Sequence, residues 1–241
     1  MRLIFVRHGD PDYENDSITD VGKIEAELVA KRLLDLDIKE FYSSPLGRAR
    51  HTAEYTLSKM GREALVMPWL EEFLHEITLP DGRKMGQIWD FMPRFFAADK
   101  RFLSLDTYFD IPYIKEAGIK EYYDKVVSGF DSLMKEHGYV WADGYYKAER
   151  PNKDTLVFFC HFGVTCVIMS HLLRVPPTLL AQNFFAAPTS LTTLISEERE
   201  EGAASFRCVC FGDTSHLYAA NREPSFAGRF CEVYTDFDVR H

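Results

Sequence analysis

The chain has 241 residues, 46% of them hydrophobic and 27% charged, with a formal net charge of −9. That length and apolar content suit a single large folded domain and exclude a disordered chain, and the acidic balance argues against nucleic acid or an anionic membrane as the main partner while leaving a small anionic substrate open. No run of about 18 apolar residues predicts a membrane span, the first strand begins at residue 2 without a secretory h-region, and five irregularly spaced cysteines do not make a disulfide framework, so a reducing cytoplasm is expected.

Leu3 to Val6 reads as a buried strand, continuous rather than alternating, and it ends in Arg7-His8-Gly9. Thr19-Asp20 can cap a helix whose apolar positions Val21, Ile24, Leu28 and Val29 carry it to about Leu36. A short strand over Glu40 to Tyr42 precedes SSPLGRARHTAEYTL, a helix with Ser44 as N-cap and Pro45 in its first turn. Another short strand is expected near Leu65 to Met67. The segment from about Lys84 to Tyr146 breaks this rhythm. It holds 15 of the chain's 34 aromatic residues, looks mainly helical, and reads as an insertion packed over one end of the sheet. Most of its aromatics must serve as glue to the core, with a minority left for a lid or pocket wall. Beyond it, TLVFFC (Thr155 to Cys160) is a second continuous strand followed at once by the helix GVTCVIMSHLL, and SLTTLIS and SFRCVCF read as late strands. This alternation predicts an α/β fold: a mostly parallel, doubly wound sheet with helices on both faces and the insertion over the active-site edge. The whole chain, 1–241, is expected to be one domain with a cap or lid at about 84–146.

Three strand ends then carry unusual residues: Arg7-His8-Gly9, Arg48 in the first turn after the second strand, and His161 after TLVFFC. In an open parallel sheet, ligands sit outside the carboxyl ends of the strands, where helix N-termini add partial positive charge. Two arginines and two histidines on that edge suit a tetrahedral dianion, because guanidinium forks match phosphate oxygens. Other chemistries fail on spacing. Six residues after Cys160 stands Cys166 rather than the arginine of a cysteine-phosphatase loop, and His161, Cys166 and His171 fit no common zinc spacing. Neither a Walker loop nor a dinucleotide fingerprint is present.

RHGD (Arg7 to Asp10), ITDVG (Ile18 to Gly22), SSPLGRARHTA (Ser43 to Ala53), CHFGV (Cys160 to Val164) and GDTSHL (Gly212 to Leu217) together resemble, in order, the histidine phosphatase superfamily, also called phosphoglycerate mutase-like. The resemblance implies that His8 is the nucleophile that takes the phosphoryl group, with Arg7, Arg48 and His161 as its phosphate pocket. Gly9 and Gly163 would give close backbone approach, and His216 would support the site. The family places its general acid after a Leu-x-Glu pattern, which Leu70-Glu71-Glu72 supplies, so Glu72 is the expected acid. A glycine-rich continuation is replaced here by Phe73-Leu74-His75-Glu76, which keeps Glu76 in reserve. Arg50 and His51 are expected on the rim or surface of their helix, Asp213 as an orienting or turn-capping residue, and Asp10 as a turn residue or a modulator of His8.

The activity so implied is a metal-independent phosphomonoester hydrolase, of histidine acid phosphatase type, acting on a small phosphorylated metabolite with no cofactor. A phosphoglycerate mutase-type phosphotransferase is the alternative, disfavoured because the glutamate-rich, glycine-containing stretch after the acid is missing. A catalytically silent phosphate-binding module would be marked by loss of His8 or both arginines, and none is lost. The sequence does not specify the substrate or the oligomeric state.

Overall fold

The computed structural model describes residues 1–225, 227 and 232–236. The other positions of the expected 1–241 domain, Cys231 among them, lie outside the described residues. Strand β1 (Arg2–Arg7) leads through a short hairpin of β2 (Pro11–Asp12) and β3 (Ser17–Ile18) into helix α1 (Asp20–Leu33). Thr19 caps α1, its hydroxyl accepting from Gly22 N–H at 3.1 Å. The helix buries Gly22, Ala26, Val29, Ala30 and Leu33, while Val21 and Ile24 stand exposed. Its packed stripe is rotated from the one its large apolar residues suggest, because small residues let it approach its neighbours closely.

After β4 (Glu40–Ser43), helix α2 runs over Gly47–Met60. Ser44 and Pro45 lie ahead of it rather than at its N-cap and first turn. Leu46 holds the N-cap position without a side-chain bond, and the Asp16 carboxylate accepts from Gly47 N–H at 2.6 Å instead. The exposed strand β5 (Leu65–Val66) follows. Then come a separate hairpin, β6 (Leu74–Thr78) and β7 (Lys84–Gln87), and helices α3 (Pro93–Ala98), α4 (Leu105–Tyr108), α5 (Pro112–Glu116) and α6 (Ile119–Glu136). Strands β8 (Tyr139–Trp141) and β9 (Tyr146–Ala148) bring the chain to β10 (Thr155–Cys160), α7 (Phe162–Leu173) and α8 (Pro177–Asn183). It continues through β11 (Leu191–Glu200) and β12 (Ala203–Asp213) into the short helix α9 (Ser215–Tyr218).

Eight strands form one mixed sheet in the order β5-β4-β10-β1-β11-β12-β9-β8. The first four are mutually parallel, and the late strands and the β8–β9 hairpin extend that half antiparallel. Both faces are covered, which is why the early runs are continuously apolar. Leu3, Phe5, Leu156 and Phe158 enter one core with α6 and α7 residues, whereas Ile4, Val6, Val157 and Phe159 enter another beneath α1 and α2.

The aromatic-rich segment packs into the first of these cores. Its longest helix, α6, buries Ile119, Tyr123, Val126, Phe130, Leu133 and Met134 at helical spacing. Phe102 is fully buried among Phe91, Phe96, Tyr108 and Tyr113, with ring centroids 4.9 to 6.4 Å away. The segment's two ends are shared with strands: β7 pairs with β6, and β9 joins the main sheet through β12. No described helix is long and apolar enough to cross a membrane.

Candidate active site

Register brings the site together. Arg7 pairs with Cys160 across β1 and β10, and Ser43 with Phe159 across β4 and β10, so His8, His161 and Ser44 emerge side by side at one edge. The rings of His8 and His161 lie 5.2 Å apart, and both residues are buried. Arg48 enters from the first turn of α2, and Arg7 from the last residue of β1.

Each of these groups is held from behind. His8 Nδ1 lies 2.8 Å from the carbonyl oxygen of Gly9, which can only accept, so Nδ1 carries the ring proton and Nε2 keeps its lone pair. Gly9 N–H donates to Thr52 Oγ1, and a side chain at Gly9 would run within 2.8 Å of the Gly22 carbonyl. His161 Nε2 meets Ser44 Oγ at 2.8 Å; that hydroxyl accepts from Leu46 N–H, and its proton is free to go to Nε2, leaving an N–H on Nδ1. Arg48 is pinned through Nη1 to Asp16 at 2.8 Å, and Arg7 through Nη1 to the carbonyl of Ala186. Arg7 Nε, Arg48 Nε and His161 Nδ1 are buried with no hydrogen-bond partner among the described residues.

Glu72 joins from the turn before β6. Its Oε1 accepts from Phe73 N–H at 2.9 Å and from Val164 N–H at 3.2 Å, in the first turn of α7. A Cβ on Gly163 would stand 2.6 Å from that oxygen, so the close approach of carboxylate to helix requires glycine there. The helix itself starts at Phe162, with His161 in its N-cap position.

The electrostatics follow from burial beside two cations. Burial, then Arg7, then Arg48 push His8 down to about 3 against the pull of the Gly9 carbonyl. His161 is lowered well below its ordinary 6.5 by burial, with His8, Arg48 and Arg7 adding to it. Burial raises the Glu72 carboxyl, overcoming its two backbone N–H bonds and both arginines. The arrangement therefore combines a neutral imidazole with a free lone pair, buried cationic donors, and a carboxyl biased toward its protonated form. That is a chemistry suited to a tetrahedral oxyanion. Among the described residues, no three His, Cys, Asp or Glu side chains cluster as metal ligands.

Other sequence candidates fall elsewhere. Glu76 is exposed on the β6–β7 hairpin and pairs with Lys84 at 2.7 Å. Arg50 is exposed, and His51 bonds Ser17. Asp10 is a turn residue, accepting from the Thr19 hydroxyl at 2.6 Å. Asp213 pairs with Arg32 and accepts from Ser215 N–H. His216, pushed down to about 4 chiefly by burial, reaches the site only through Thr189. Thr189 has a φ of 55°, a strained conformation for a β-branched residue, and its N–H is shared between the carbonyls of Arg7 and His8.

Sequence reasoning missed Asp16, Ser44 as the partner of His161, Thr52 and Thr189, all of which act through contacts across the chain. It also missed Tyr13, whose exposed ring lies 5.5 Å from the Arg48 guanidinium carbon, and Glu25, a buried carboxylate on α1 that accepts from the N–H groups of Asp10 and Ser225.

Fold and site thus define an α/β protein with two arginines and two histidines gathered at the carboxyl edge of its parallel strands. A family model described as the histidine phosphatase superfamily (branch 1) matches residues 3–208, and the chain belongs to that family. It is 23% identical over 231 residues to a probable phosphatase of Schizosaccharomyces pombe, a match covering 90% of this chain and 95% of the relative. A 2,3-bisphosphoglycerate-dependent phosphoglycerate mutase of Thermoplasma acidophilum is 33% identical over 90 residues, covering 33% of this chain and 43% of that protein. Among solved structures, a phosphoserine phosphatase from Entamoeba histolytica in complex with phosphoserine matches with a TM-score of 0.59 and 20% identity, covering 90% of this chain and 98% of that one.

Proposed function

We propose that the protein is a metal-independent phosphomonoester hydrolase, of histidine acid phosphatase type, that works through a phosphohistidine on His8. The observation that carries this reading is the set of unpartnered buried donors, Arg7 Nε, Arg48 Nε and His161 Nδ1, beside a His8 whose Nε2 is unprotonated. In the first step His8 Nε2 attacks phosphorus and the ester oxygen leaves with the proton of Glu72. Arg7, Arg48 and His161 hold the three equatorial oxygens and meet the charge of the transition state. In the second step Glu72, now a carboxylate, takes a proton from the water that attacks phospho-His8, and inorganic phosphate is released. Gly9 and Gly163 permit the close approaches, and His216 supports the β1 end through Thr189.

Residues of about 84–146 act as a cap inserted into a single domain, and the substrate is a small phosphorylated metabolite. The structural similarity of this chain to enzymes named for phosphoserine and glucosyl-3-phosphoglycerate supports that class. The four cysteines among the described residues are free thiols, in keeping with a reducing, cytoplasmic setting. A mutase reading draws on the 33% identity to a phosphoglycerate mutase, but that match spans only a third of the chain, and the glycine-containing stretch expected after Glu72 is occupied by buried Phe73 and strand β6. The test is hydrolysis of an aryl phosphate with excess chelator, wild type against His8→Ala. Chelator-resistant activity that disappears in the variant supports the reading; activity indifferent to His8 overturns it.

A further inference from the structure

The geometry points to Trp89 as the residue that sets the substrate class: its indole receives the leaving group, which is flat, apolar and uncharged. This rests on the assignment of His8 as nucleophile and Glu72 as acid. In phosphoryl transfer the entering and leaving groups lie in line on opposite sides of phosphorus. The leaving oxygen must also come within hydrogen-bond reach of its acid. Whatever that oxygen carries is therefore deposited beside the Glu72 carboxyl, on the side away from His8.

Trp89 is the ring that the chain places beside that carboxyl. A Cβ built on Gly163 would lie 2.6 Å from Glu72 Oε1 and 2.7 and 2.8 Å from Cζ3 and Cη2 of the indole, so carboxylate and ring edge converge on one point at the start of α7. Phe162 meets the same ring edge-on, with centroids 5.6 Å apart at 80°. Trp89 is only partly buried, whereas Phe91, Phe102 and Tyr108 of the same segment are spent entirely on the core. A second exposed ring, Tyr13, lies by Arg48. The charged group that adjoins Trp89 in the chain is Asp90, exposed and in a left-handed conformation with a φ of 69°. A leaving group bearing its own carboxylate would thus meet Glu72 and Asp90, while Arg7 and Arg48 are committed to the phosphoryl oxygens. An aromatic leaving group would meet an indole it can stack on.

The test compares esters whose alcohols have similar intrinsic reactivity, so that chemistry does not mimic recognition: benzyl phosphate, propyl phosphate, phosphoserine and 3-phosphoglycerate. The full-length protein is expected to show the highest kcat/KM on benzyl phosphate, on the order of tenfold or more above the others. Trp89→Ala should lower kcat/KM on benzyl phosphate at least tenfold more than on propyl phosphate, and Trp89→Phe should restore most of that difference. Should Trp89→Ala fail to fold, Trp89→Leu removes the π face while keeping bulk, and the same selective loss is expected. An equal loss on all esters, or a preference for phosphoserine or 3-phosphoglycerate, overturns the inference. His8→Ala on benzyl phosphate separates the two claims: activity that survives it overturns the hydrolase assignment, whereas His8-dependent activity blind to Trp89 overturns only this one.

Discussion

The carboxyl edge of the parallel strands and the aromatic segment between β6 and α6 are built on opposite terms. At the edge the buried groups are polar: two histidines and Arg48, with three donor atoms on Arg7, Arg48 and His161 that have no partner among the described residues. In the segment the buried groups are rings packed on rings, with Phe102 at their centre. The first arrangement gives up stability for preorganised charge, and the second supplies stability by burying area. One molecule can do both because its motif residues sit on strand ends, where two-sided burial has already fixed the backbone.

The sharpest way to break this contrast is a pair of substitutions. His8→Ala should reduce kcat by about 10⁴-fold or more with a change in stability under about 1 kcal/mol. Phe102→Ala should cost about 3–5 kcal/mol of stability, read by denaturant melts, and lower the activity of the remaining folded protein far less. If the two variants exchanged these outcomes, edge and segment would not differ as argued.

A smaller effect sharpens the role of the edge. Glu72→Gln should lower kcat on an alkyl phosphate by about 10²–10³-fold, and much less on a nitrophenyl phosphate, whose oxygen leaves without a proton. Because burial raises the Glu72 carboxyl, wild-type kcat on the alkyl ester should persist above the ordinary 4.5 and fall as pH rises through the raised value. The variant should lack that limb. Equal losses on both esters would remove Glu72 from acid catalysis.

A further effect concerns the pH dependence of stability. His8, at about 3, His216, at about 4, and His161, well below 6.5, are kept neutral by burial. Below pH 6.5 the unfolded chain binds protons on these rings that the folded chain refuses. Their contribution is full above that value and is lost as pH falls toward the folded values, by at most about 1.4 kcal/mol per unit for each ring. Tm should therefore drop between pH 7 and pH 5, and inorganic phosphate at about 100 times its Kd should return about 2.7 kcal/mol. A Tm flat over that range would contradict the burial of neutral rings at the edge.

The same contrast governs what could be read from the chain. Leu3 to Val6, Arg7-His8-Gly9, Arg48 and His161 were legible because strand burial and strand-end chemistry are local patterns. Ser44 looked like an N-cap because serine commonly caps; that role went to Asp16, 31 residues away from Gly47. Thr52 and Thr189 act on backbone groups that only the folded register brings near. The antiparallel half of the sheet was not legible either, since apolar patterning in β11 and β12 carries no strand direction. Trp89 was hidden among 15 aromatics of one segment, and only the approach of its ring edge to Gly163, where Glu72 also converges, sets it apart.

The most direct test of the central claim is to catch the intermediate. Enzyme mixed with substrate for milliseconds, quenched in base to preserve phosphohistidine and weighed by intact-mass spectrometry, should gain one phosphoryl group that peptide mapping assigns to His8. His8→Ala should gain none. A phosphoryl group on another residue, or steady turnover with no phosphoenzyme at any quench time, would contradict the account.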